Sequence, residues 1–168
     1  MKTSRLILFV LALALLLSFS SCNGYKKFEY CEMGIALKKD FREYDSDGSF
    51  NVAYSDGKTI VGITRFSFVD CEEYGLLSTY SPEQLAKVYL YRLGDENVGE
   101  IMTQGDVPYF SYSAPSADGI YYFYMPTFYR TPYAYFVITF ITPASRKDEG
   151  RVEFLDYISS VYILDEYV

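Results

Sequence analysis

Two long strands at the centre of a sheet are the clearest prediction from the pattern of apolar and polar positions. The segment 120–125 (IYYFYM) leads into 134–142 (AYFVITFIT), and nearly every side chain in both is aromatic or β-branched. In the second segment Phe136, Ile138 and Phe140 share one face at the strand period of two, and the other face is also largely apolar. A strand that is apolar on both faces is typical of the inside of a sheet.

Shorter strands are predicted before this central pair. The segments 33–37, 49–54 and 59–68 are rich in apolar and β-branched residues, and the Asp-Gly pair at 56–57 favours a hairpin between the last two. Gly62 interrupts the alternation of the third segment. A glycine in a strand indicates either a bulge or a close approach of the backbone to other atoms.

A helix is predicted to begin at Ser81. This serine can cap the helix, Pro82 fits the first helical position, and Gln84 completes a capping box. Apolar residues then recur at helical spacing until Gly94, which ends the helix. Because only one face is apolar, we expect this helix to pack on the sheet.

A second amphipathic helix is predicted from residue 146 to about residue 160, with Val152, Leu155 and Ile158 in its apolar stripe. Residues 161–163 either extend this stripe or form a short closing strand.

Between the two helices the sequence predicts a further strand pair, 100–104 and 109–113. The turns that join neighbouring strands along the chain are too short for parallel pairing, so these strands must pair antiparallel. The sequence therefore predicts an α+β fold, with an antiparallel sheet of about six or seven strands packed with two amphipathic helices.

The first 21 residues have the pattern of a secretory signal peptide. Lys2 and Arg5 precede an uncharged apolar run over 6–17, which is shorter than the roughly 20 residues needed to span a bilayer. Small residues directly before Cys22, at the end of that run, resemble the lipoprotein box of bacterial lipoproteins. The resemblance implies that the signal is cut before Cys22 and that the thiol of this residue carries the lipid.

We therefore predict a signal peptide at 1–21, a polar lipid-anchored tether at 22–28 and a single domain at 29–168. The expected location is the cell envelope, on the outer side of the cytoplasmic membrane. The alternative is ordinary cleavage nearby, which would release a secreted protein.

Charge narrows the range of partners. Without Lys2 and Arg5, 13 of the 15 basic residues remain against 22 acidic ones, a net charge of −9 for the mature chain. A surface this acidic argues against nucleic acid and against electrostatic attraction to anionic membranes, so the expected membrane contact is the N-terminal lipid. The abundance of tyrosine (19) and phenylalanine (13) predicts that much of the core and part of the surface are aromatic.

Cys31 and Cys71 are left as an even pair in an exported protein once Cys22 carries the lipid, which favours a disulfide between them. A loop of that length would contribute about 4 kcal/mol in the chain-entropy model. The alternative is two separate thiols. Cys31 precedes the first strand and Cys71 follows the third, and in a simple meander these points lie at opposite ends of the sheet, beyond the ~7 Å Cα limit for a bridge.

Few forms of catalysis are compatible with this composition. The chain has no histidine, which excludes histidine-activated serine or cysteine nucleophiles and histidine metal sites. The acidic run at 45–49 lacks the sixth-position glycine and twelfth-position glutamate of a calcium loop, so a turn is the better interpretation. Acidic neighbours oppose thiolate formation at Cys71, and Glu72 and Glu73 are most simply a solvated loop. We expect no enzyme activity, no cofactor and no metal.

The order of these segments resembles the PsbP/DcrB-like fold and is similar, more closely, to small secreted or lipid-anchored bacterial proteins of that group. The resemblance covers about 28–163 and contains no diagnostic motif. It implies a fold whose better-known members act as binding or assembly factors, and it transfers no functional residue. It is carried by the start Tyr30-Cys31-Glu32-Met33-Gly34-Ile35-Ala36-Leu37, the turn with Phe41, the strands at 50–54 and 60–63, the helix at Ser81, the strand start Val107-Pro108-Tyr109-Phe110, and the strands at Tyr121 and 136–140.

Aromatic side chains around the central connection are the remaining candidates for function. Tyrosine and arginine are favoured at protein interfaces, and aromatic faces also stack on sugars. The alternative is that these rings fill the core, although two helices leave part of a two-faced sheet uncovered. The predicted binding surface consists of Tyr121, Tyr122, Tyr124, Tyr129, Arg130 and Tyr133.

The sequence thus predicts a non-catalytic, lipid-anchored extracytoplasmic protein that is a binding or assembly factor for an unknown protein or other envelope component. The alternative is small-ligand or glycan binding through the aromatic region 121–135, and a carboxylate-based enzyme is the least favoured class. A flat exposed aromatic patch would favour a protein partner, and a concave aromatic pocket with convergent polar groups would favour a ligand. A cleft holding two close acids with raised pKa values would favour an enzyme.

Overall fold

The computed structural model describes residues 24–94, 99–116 and 119–167. Within these ranges the chain forms eleven β-strands and two α-helices. The strands are β1 (Tyr25–Tyr30), β2 (Met33–Lys38), β3 (Arg42–Glu43), β4 (Val52–Ser55), β5 (Ile60–Ser67), β6 (Met102–Gln104), β7 (Val107–Tyr109), β8 (Tyr112–Pro115), β9 (Tyr121–Arg130), β10 (Ala134–Pro143) and β11 (Tyr162–Ile163), and the helices are α1 (Pro82–Leu93) and α2 (Lys147–Ile158).

Eight strands form one antiparallel sheet in the order β3-β4-β5-β10-β9-β7-β6, and β8 also pairs with β9. The predicted α+β fold class is confirmed, including the central position of the two long strands. A second, smaller sheet in the order β1-β2-β11 was not predicted. It exists because the end of the chain returns to β2, where Tyr162 pairs with Gly34 and Ile163 with Met33.

The β9 strand is longer than predicted because it continues through Pro126. This proline pairs with Thr139 of β10. On its other side, β7 pairs with β9 at Thr127 and β8 pairs with β9 at Tyr124, so the chain between β7 and β8 makes no ladder pair opposite Pro126. A proline is tolerated within a sheet where no neighbouring strand needs its missing N–H group.

The large sheet has a core on each face, because β10 is apolar on both sides. Phe136, Ile138 and Phe140 pack against the β1–β2 hairpin and α2, and we call this side the α2 face. Tyr135 and Val137 pack with α1 on the other side, which we call the α1 face. The assignment of Phe136, Ile138 and Phe140 to the core is confirmed.

The start of α1 has the predicted capping box. The Ser81 hydroxyl accepts a bond from the Gln84 amide at 3.2 Å, and the Gln84 side chain accepts one from the Ser81 amide at 2.8 Å. Gly94 follows the helix with φ of 58°, a left-handed conformation that favours glycine. The prediction for α2 is correct in its extent, but its apolar stripe is wrong at Val152, which is 66% exposed.

The predicted tether at 22–28 is wrong from Tyr25 onward. Residues 25–30 form β1, which pairs along its whole length with β2, and Phe28 lies in the core. Lys26 and Lys27 make this segment polar, and the sequence was therefore interpreted as a tether. Lysine is common on edge strands, because its charge opposes pairing with other chains. The folded domain therefore includes β1 and reaches at least to Tyr25, ahead of the predicted boundary at residue 29.

The predicted signal peptide and the lipidation site Cys22 lie outside the described residues. No helix in the described part of the chain is long and apolar enough to cross a membrane.

Cys31 and Cys71 are both free, so the predicted disulfide is not formed. Cys31 is exposed in the turn between β1 and β2, which packs on the α2 face. Cys71 is 1% exposed and belongs to the core of the α1 face. The large sheet lies between the two thiols, and this separation prevents the bridge.

An ion pair fastens the small sheet to the large one. Arg65 of β5 donates from Nε to Glu32 at 2.9 Å and from Nη2 to the second carboxylate oxygen of the same residue. The Glu32 side chain is 5% exposed and the Arg65 side chain 25%. The guanidinium also lies 6.0 Å from the centroid of the Phe136 ring, so this bidentate contact joins the β1–β2 turn to the centre of the large sheet.

Candidate functional site

The α1 face has two halves with different coverings. Towards one end of the central strands, Tyr135, Val137 and Phe128 are buried in a common core with residues of α1. Towards the other end, the same face of β9 presents Tyr122 and Tyr124, which are only partly buried. That second half is bordered by the loop between β3 and β4 rather than by α1.

A cleft of about 540 Å³ opens over this second half. Strands provide its floor and the β3–β4 loop one wall, so rings and small hydroxyls face a common space. We call it the tyrosine cleft, and its lining residues are Tyr44, Ser46, Asp47, Ser49, Phe50, Ile60, Ser116, Tyr122, Tyr124 and Ile141.

The Phe50 ring is held in the cleft wall because Gly62 has no side chain. A Cβ atom at Gly62 would lie 2.5 Å from the nearest carbons of the Phe50 ring. Gly62 pairs regularly with Ala53 and Thr139, so the strand has no bulge there. Of the two alternatives predicted for Gly62, the close approach is the one found.

Short local bonds shape the loop that carries Phe50. The Asp47 amide donates to the Asp45 carboxylate at 3.0 Å, and the Ser49 amide donates to the carbonyl of Ser46 at 2.9 Å. The Ser46 hydroxyl also accepts from the Phe50 amide at 3.3 Å. The acidic run 45–49 is therefore a turn, as predicted. Among the described residues, no three histidine, cysteine, aspartate or glutamate side chains are grouped so as to hold a metal ion.

The Tyr124 ring is fixed by stacking. Tyr112 of β8 lies parallel to it, with ring centroids 4.9 Å apart and an interplanar angle of 9°. Burial raises the pKa of Tyr124 and raises the pKa of Tyr112 to about 12. Both phenols therefore stay neutral at physiological pH and can donate hydrogen bonds as well as accept them.

The chemistry of the lining is aromatic and hydroxylic. Tyr122, Tyr124 and Phe50 offer ring surface, and serine hydroxyls and the Asp47 carboxylate offer hydrogen-bonding groups. Among the described lining residues, Asp47 has the only carboxyl group, and none is a lysine or an arginine. This arrangement suits a neutral polar ligand that has an apolar face.

The predicted binding surface is not one surface, which corrects the sequence prediction. Tyr122 and Tyr124 lie together in the tyrosine cleft. Tyr121 and Tyr129 lie on the α2 face, because successive residues of a strand point to opposite sides of the sheet. Tyr133 lies in the turn between β9 and β10, at the far end of the strand from the cleft.

The remaining members of the predicted surface have structural contacts. Tyr129 packs against the core of the α2 face, and burial raises its pKa. The Arg130 guanidinium lies 5.0 Å from the centroid of the Phe68 ring and donates to the Ser78 carbonyl at 3.3 Å. Tyr133 is 56% exposed and meets the Tyr167 ring edge-on at 6.2 Å.

Sequence reasoning missed the half of the cleft that comes from the β3–β4 loop. Tyr44 and Phe50 flank the polar run 45–49, which was predicted only as a turn. The available signal was Gly62, since a glycine in an apolar strand predicts that something lies directly on it. The sequence does not say that Phe50 is that neighbour.

Comparison with known proteins gives a fold and no function. No protein-family model matches the chain, and no curated protein matches it. The chain is similar to a protein of Bacteroides thetaiotaomicron VPI-5482, known from a crystal structure at 1.50 Å, with a TM-score of 0.56 and 14% identity. The match covers 85% of this chain, and the chain spans half the length of that protein. A second similar structure is PsbP (CyanoP) of Synechocystis sp. PCC 6803, with a TM-score of 0.46 and 10% identity over 84% of this chain and 93% of that protein.

These identities are low enough that the matches bear on the fold alone. The arrangement they share is the layered α+β architecture described above, with an antiparallel sheet and two helices. The fold predicted from the sequence is thereby confirmed as a layered α+β fold.

Proposed function

We propose that this protein is a non-catalytic binding protein of the cell envelope, anchored through a lipid on Cys22, and that the tyrosine cleft is its ligand site. The observation that supports the proposal is the concavity of the cleft, in which aromatic rings and hydroxyl groups face one space of about 540 Å³. Ligand pockets in proteins typically measure about 300–1,000 Å³ and combine apolar walls with a few polar groups.

A neutral glycan segment is the ligand class that fits these groups. Sugars have an apolar face that stacks on aromatic rings, and Tyr122, Tyr124 and Phe50 supply such rings. The hydroxyls of Ser46 and Ser49 line the same space and can exchange hydrogen bonds with sugar hydroxyls. An anionic ligand is disfavoured, because none of the described residues that line the cleft is basic and the chain carries a net charge of −7.

The non-catalytic role is supported by the residue inventory. The chain has no histidine, and the described lining of the cleft contains one carboxyl group rather than a pair that could share acid and base roles. A protein or assembly partner, which the resemblance to the PsbP/DcrB-like fold implies, stays a prediction. The cleft is wide open to solvent, and it is the grouping of aromatic rings with hydroxyls in its lining that favours a ligand over a protein surface.

The test is a binding measurement with two neutral probes, chitohexaose and cellohexaose, by saturation-transfer NMR and isothermal titration calorimetry. We expect at least one probe to bind the purified protein, with Tyr122→Ala and Tyr124→Ala each weakening binding about 5- to 30-fold. That range corresponds to about 1–2 kcal/mol, the size expected for truncating an aromatic anchor at a binding site.

Tyr91→Ala is the matched control, because this tyrosine is 88% exposed on α1 and does not line the cleft. Its affinity should equal that of the wild type. Circular dichroism melts of all three variants separate loss of binding from loss of fold. Equal affinity in the two cleft variants and the control, or no binding of either probe, would refute a glycan site in the tyrosine cleft.

A further inference from the structure

Two basic side chains stand over one aromatic ring on the α2 face, on the opposite side of β9 from the tyrosine cleft. Lys147 and Arg151 are one turn apart in α2. The Lys147 Nζ atom lies 5.9 Å from the centroid of the Phe123 ring, and the Arg151 guanidinium carbon lies 5.7 Å from it. Phe123 is buried and stacks on Phe154 at 6.3 Å, so the ring is a fixed platform.

A cavity of about 510 Å³ opens beside these two cations. Arg151 donates from Nη2 to the Ser111 hydroxyl at 3.2 Å, and Ser113 pairs with Phe123 across the β8–β9 ladder. We call this cavity the basic pocket, and it is lined by Ser111, Ser113, Tyr121, Phe123, Lys147 and Arg151 together with parts of neighbouring residues.

Within the described part of the chain, the charges of the basic pocket have no carboxylate partner in an ion pair. The ion pairs found among the described residues engage Lys38, Arg65, Lys87 and Arg146. Neither Lys147 nor Arg151 takes part in one, and none of the described lining residues is acidic. Two cations four residues apart on a helix repel each other. In a chain with 22 acidic residues, this pocket is a local positive site whose described lining holds no counter-charge.

We propose that the basic pocket binds the phosphate group of a ligand. A guanidinium and an ammonium side by side give charge-assisted bonds to phosphate oxygens, and a serine hydroxyl adds a neutral donor. An anion between Lys147 and Arg151 also removes their mutual repulsion. The phosphate group belongs either to a soluble phosphomonoester or to a phospholipid headgroup, and the two sources differ in the number of ester bonds on phosphorus.

The site is separate from the proposed glycan site. Phe123 and Tyr121 point to the α2 face, and Tyr122 and Tyr124 point to the α1 face, so the two cavities lie on opposite sides of β9. Tyr122→Ala should therefore leave phosphate binding unchanged. Absence of glycan binding would therefore not count against the phosphate site, and absence of phosphate binding would not count against the glycan site.

The test is an NMR titration of the purified protein with three probes. These are inorganic phosphate, sn-glycerol 3-phosphate as a phosphomonoester, and glycerophosphoglycerol as the soluble headgroup of phosphatidylglycerol. We expect saturable shifts that centre on the Ser111 and Ser113 amides and on the Arg151 Nε resonance. Tighter binding of the monoester supports a soluble phosphorylated ligand, and tighter binding of the diester supports a lipid headgroup.

Charge variants provide the second readout. Lys147→Gln with Arg151→Gln should weaken binding of the preferred probe at least tenfold. The control is Lys39→Gln with Lys87→Gln, which removes the same charge from exposed positions outside the pocket and should change affinity less than twofold. Arg151→Lys keeps the charge and should stay within about threefold of the wild type.

The location of the chemical-shift changes on the wild-type protein tests the proposal even if the double pocket variant does not fold. Shifts spread over basic residues throughout the surface would overturn the proposal. An equal loss of affinity in the pocket and control variants would overturn it as well, because net charge alone would then account for binding. So would the absence of saturable binding by all three probes.

Discussion

Replacing Gly62 by alanine is expected to destabilise the protein, although alanine is normally the better residue in a strand. The new Cβ atom would lie 2.5 Å from carbons of the Phe50 ring. Carbon atoms in contact are ordinarily about 3.5–4.0 Å apart, so the ring must move by about 1 Å. Overpacking of this kind costs about 1–3 kcal/mol, and the gain from replacing a strand glycine is about 0.5–1 kcal/mol. We therefore expect a net loss of about 1–2 kcal/mol in the free energy of unfolding.

The sign of this effect should reverse when Phe50 is removed. In a Phe50→Ala background the space above Gly62 is open, and Gly62→Ala should then stabilise the protein by about 0.5–1 kcal/mol. The coupling free energy between the two positions is the difference between the two effects, about 2 kcal/mol.

The assay is urea unfolding of the wild type, both single variants and the double variant. An equal dependence of the unfolding free energy on urea concentration in all four proteins checks that unfolding stays two-state. Gly24→Ala is the control, since a Cβ atom at Gly24 meets no atom within 4 Å. If Gly62→Ala changes stability equally with and without Phe50, the ring does not lie on the glycine and the cleft wall is wrongly described.

Three further predictions follow from the ion pair, the anchor and the thiols. The hydrogen bond from Arg65 holds the pKa of Glu32 below its ordinary value, so the ion pair stabilises the protein above a pH of about 4.3, and this stabilisation is lost as pH falls through the folded-state pKa. In urea unfolding at a series of pH values, Glu32→Gln should reduce the fall of the midpoint at acid pH. An unchanged fall would contradict the pairing. Cys22→Ala should release the protein from membranes in fractionation, and continued membrane retention would refute the lipid anchor. In the native protein, Cys31 should react with Ellman's reagent at least tenfold faster than Cys71, because burial raises the pKa of the Cys71 thiol and blocks access to it. The variants Cys31→Ser and Cys71→Ser assign the two kinetic phases to the two thiols. A thiol count that rises only after reduction would show a disulfide instead.

The elements that could be predicted from the sequence are those set by local pattern. The apolar run of β10 and the Ser81 capping box each lie within a short segment, and both are found as predicted. β1 was missed because Lys26 and Lys27 gave a short edge strand the composition of a tether. The buried side of α2 was misjudged because Phe154 and Tyr157, rather than Val152, meet the sheet.

The candidate sites depend on contacts between distant segments, and this is why they could be predicted only in part. Alternation along β9 already separates Tyr121 from Tyr122 and Tyr124, but the continuation of the strand through Pro126 was not recognised. The cleft wall requires Phe50 to lie on Gly62. The basic pocket requires α2 to place Arg151 over Phe123, and no pattern within α2 specifies that ring.

The small sheet has a consequence for the order in which the chain can assemble. β2 occupies its centre, but its second neighbour, β11, lies more than a hundred residues later in the sequence. Two side chains hold β11 and the residues before it against β2. The Ser160 hydroxyl forms hydrogen bonds with the backbone of Ala36. The Tyr162 ring lies against Gly34, and its hydroxyl donates to the Glu29 carboxylate. The β1–β2 hairpin has only local contacts and can form early, yet one of its edges stays unpaired until β11 is available. The pairing of this early hairpin is therefore completed only when a strand more than a hundred residues away joins it.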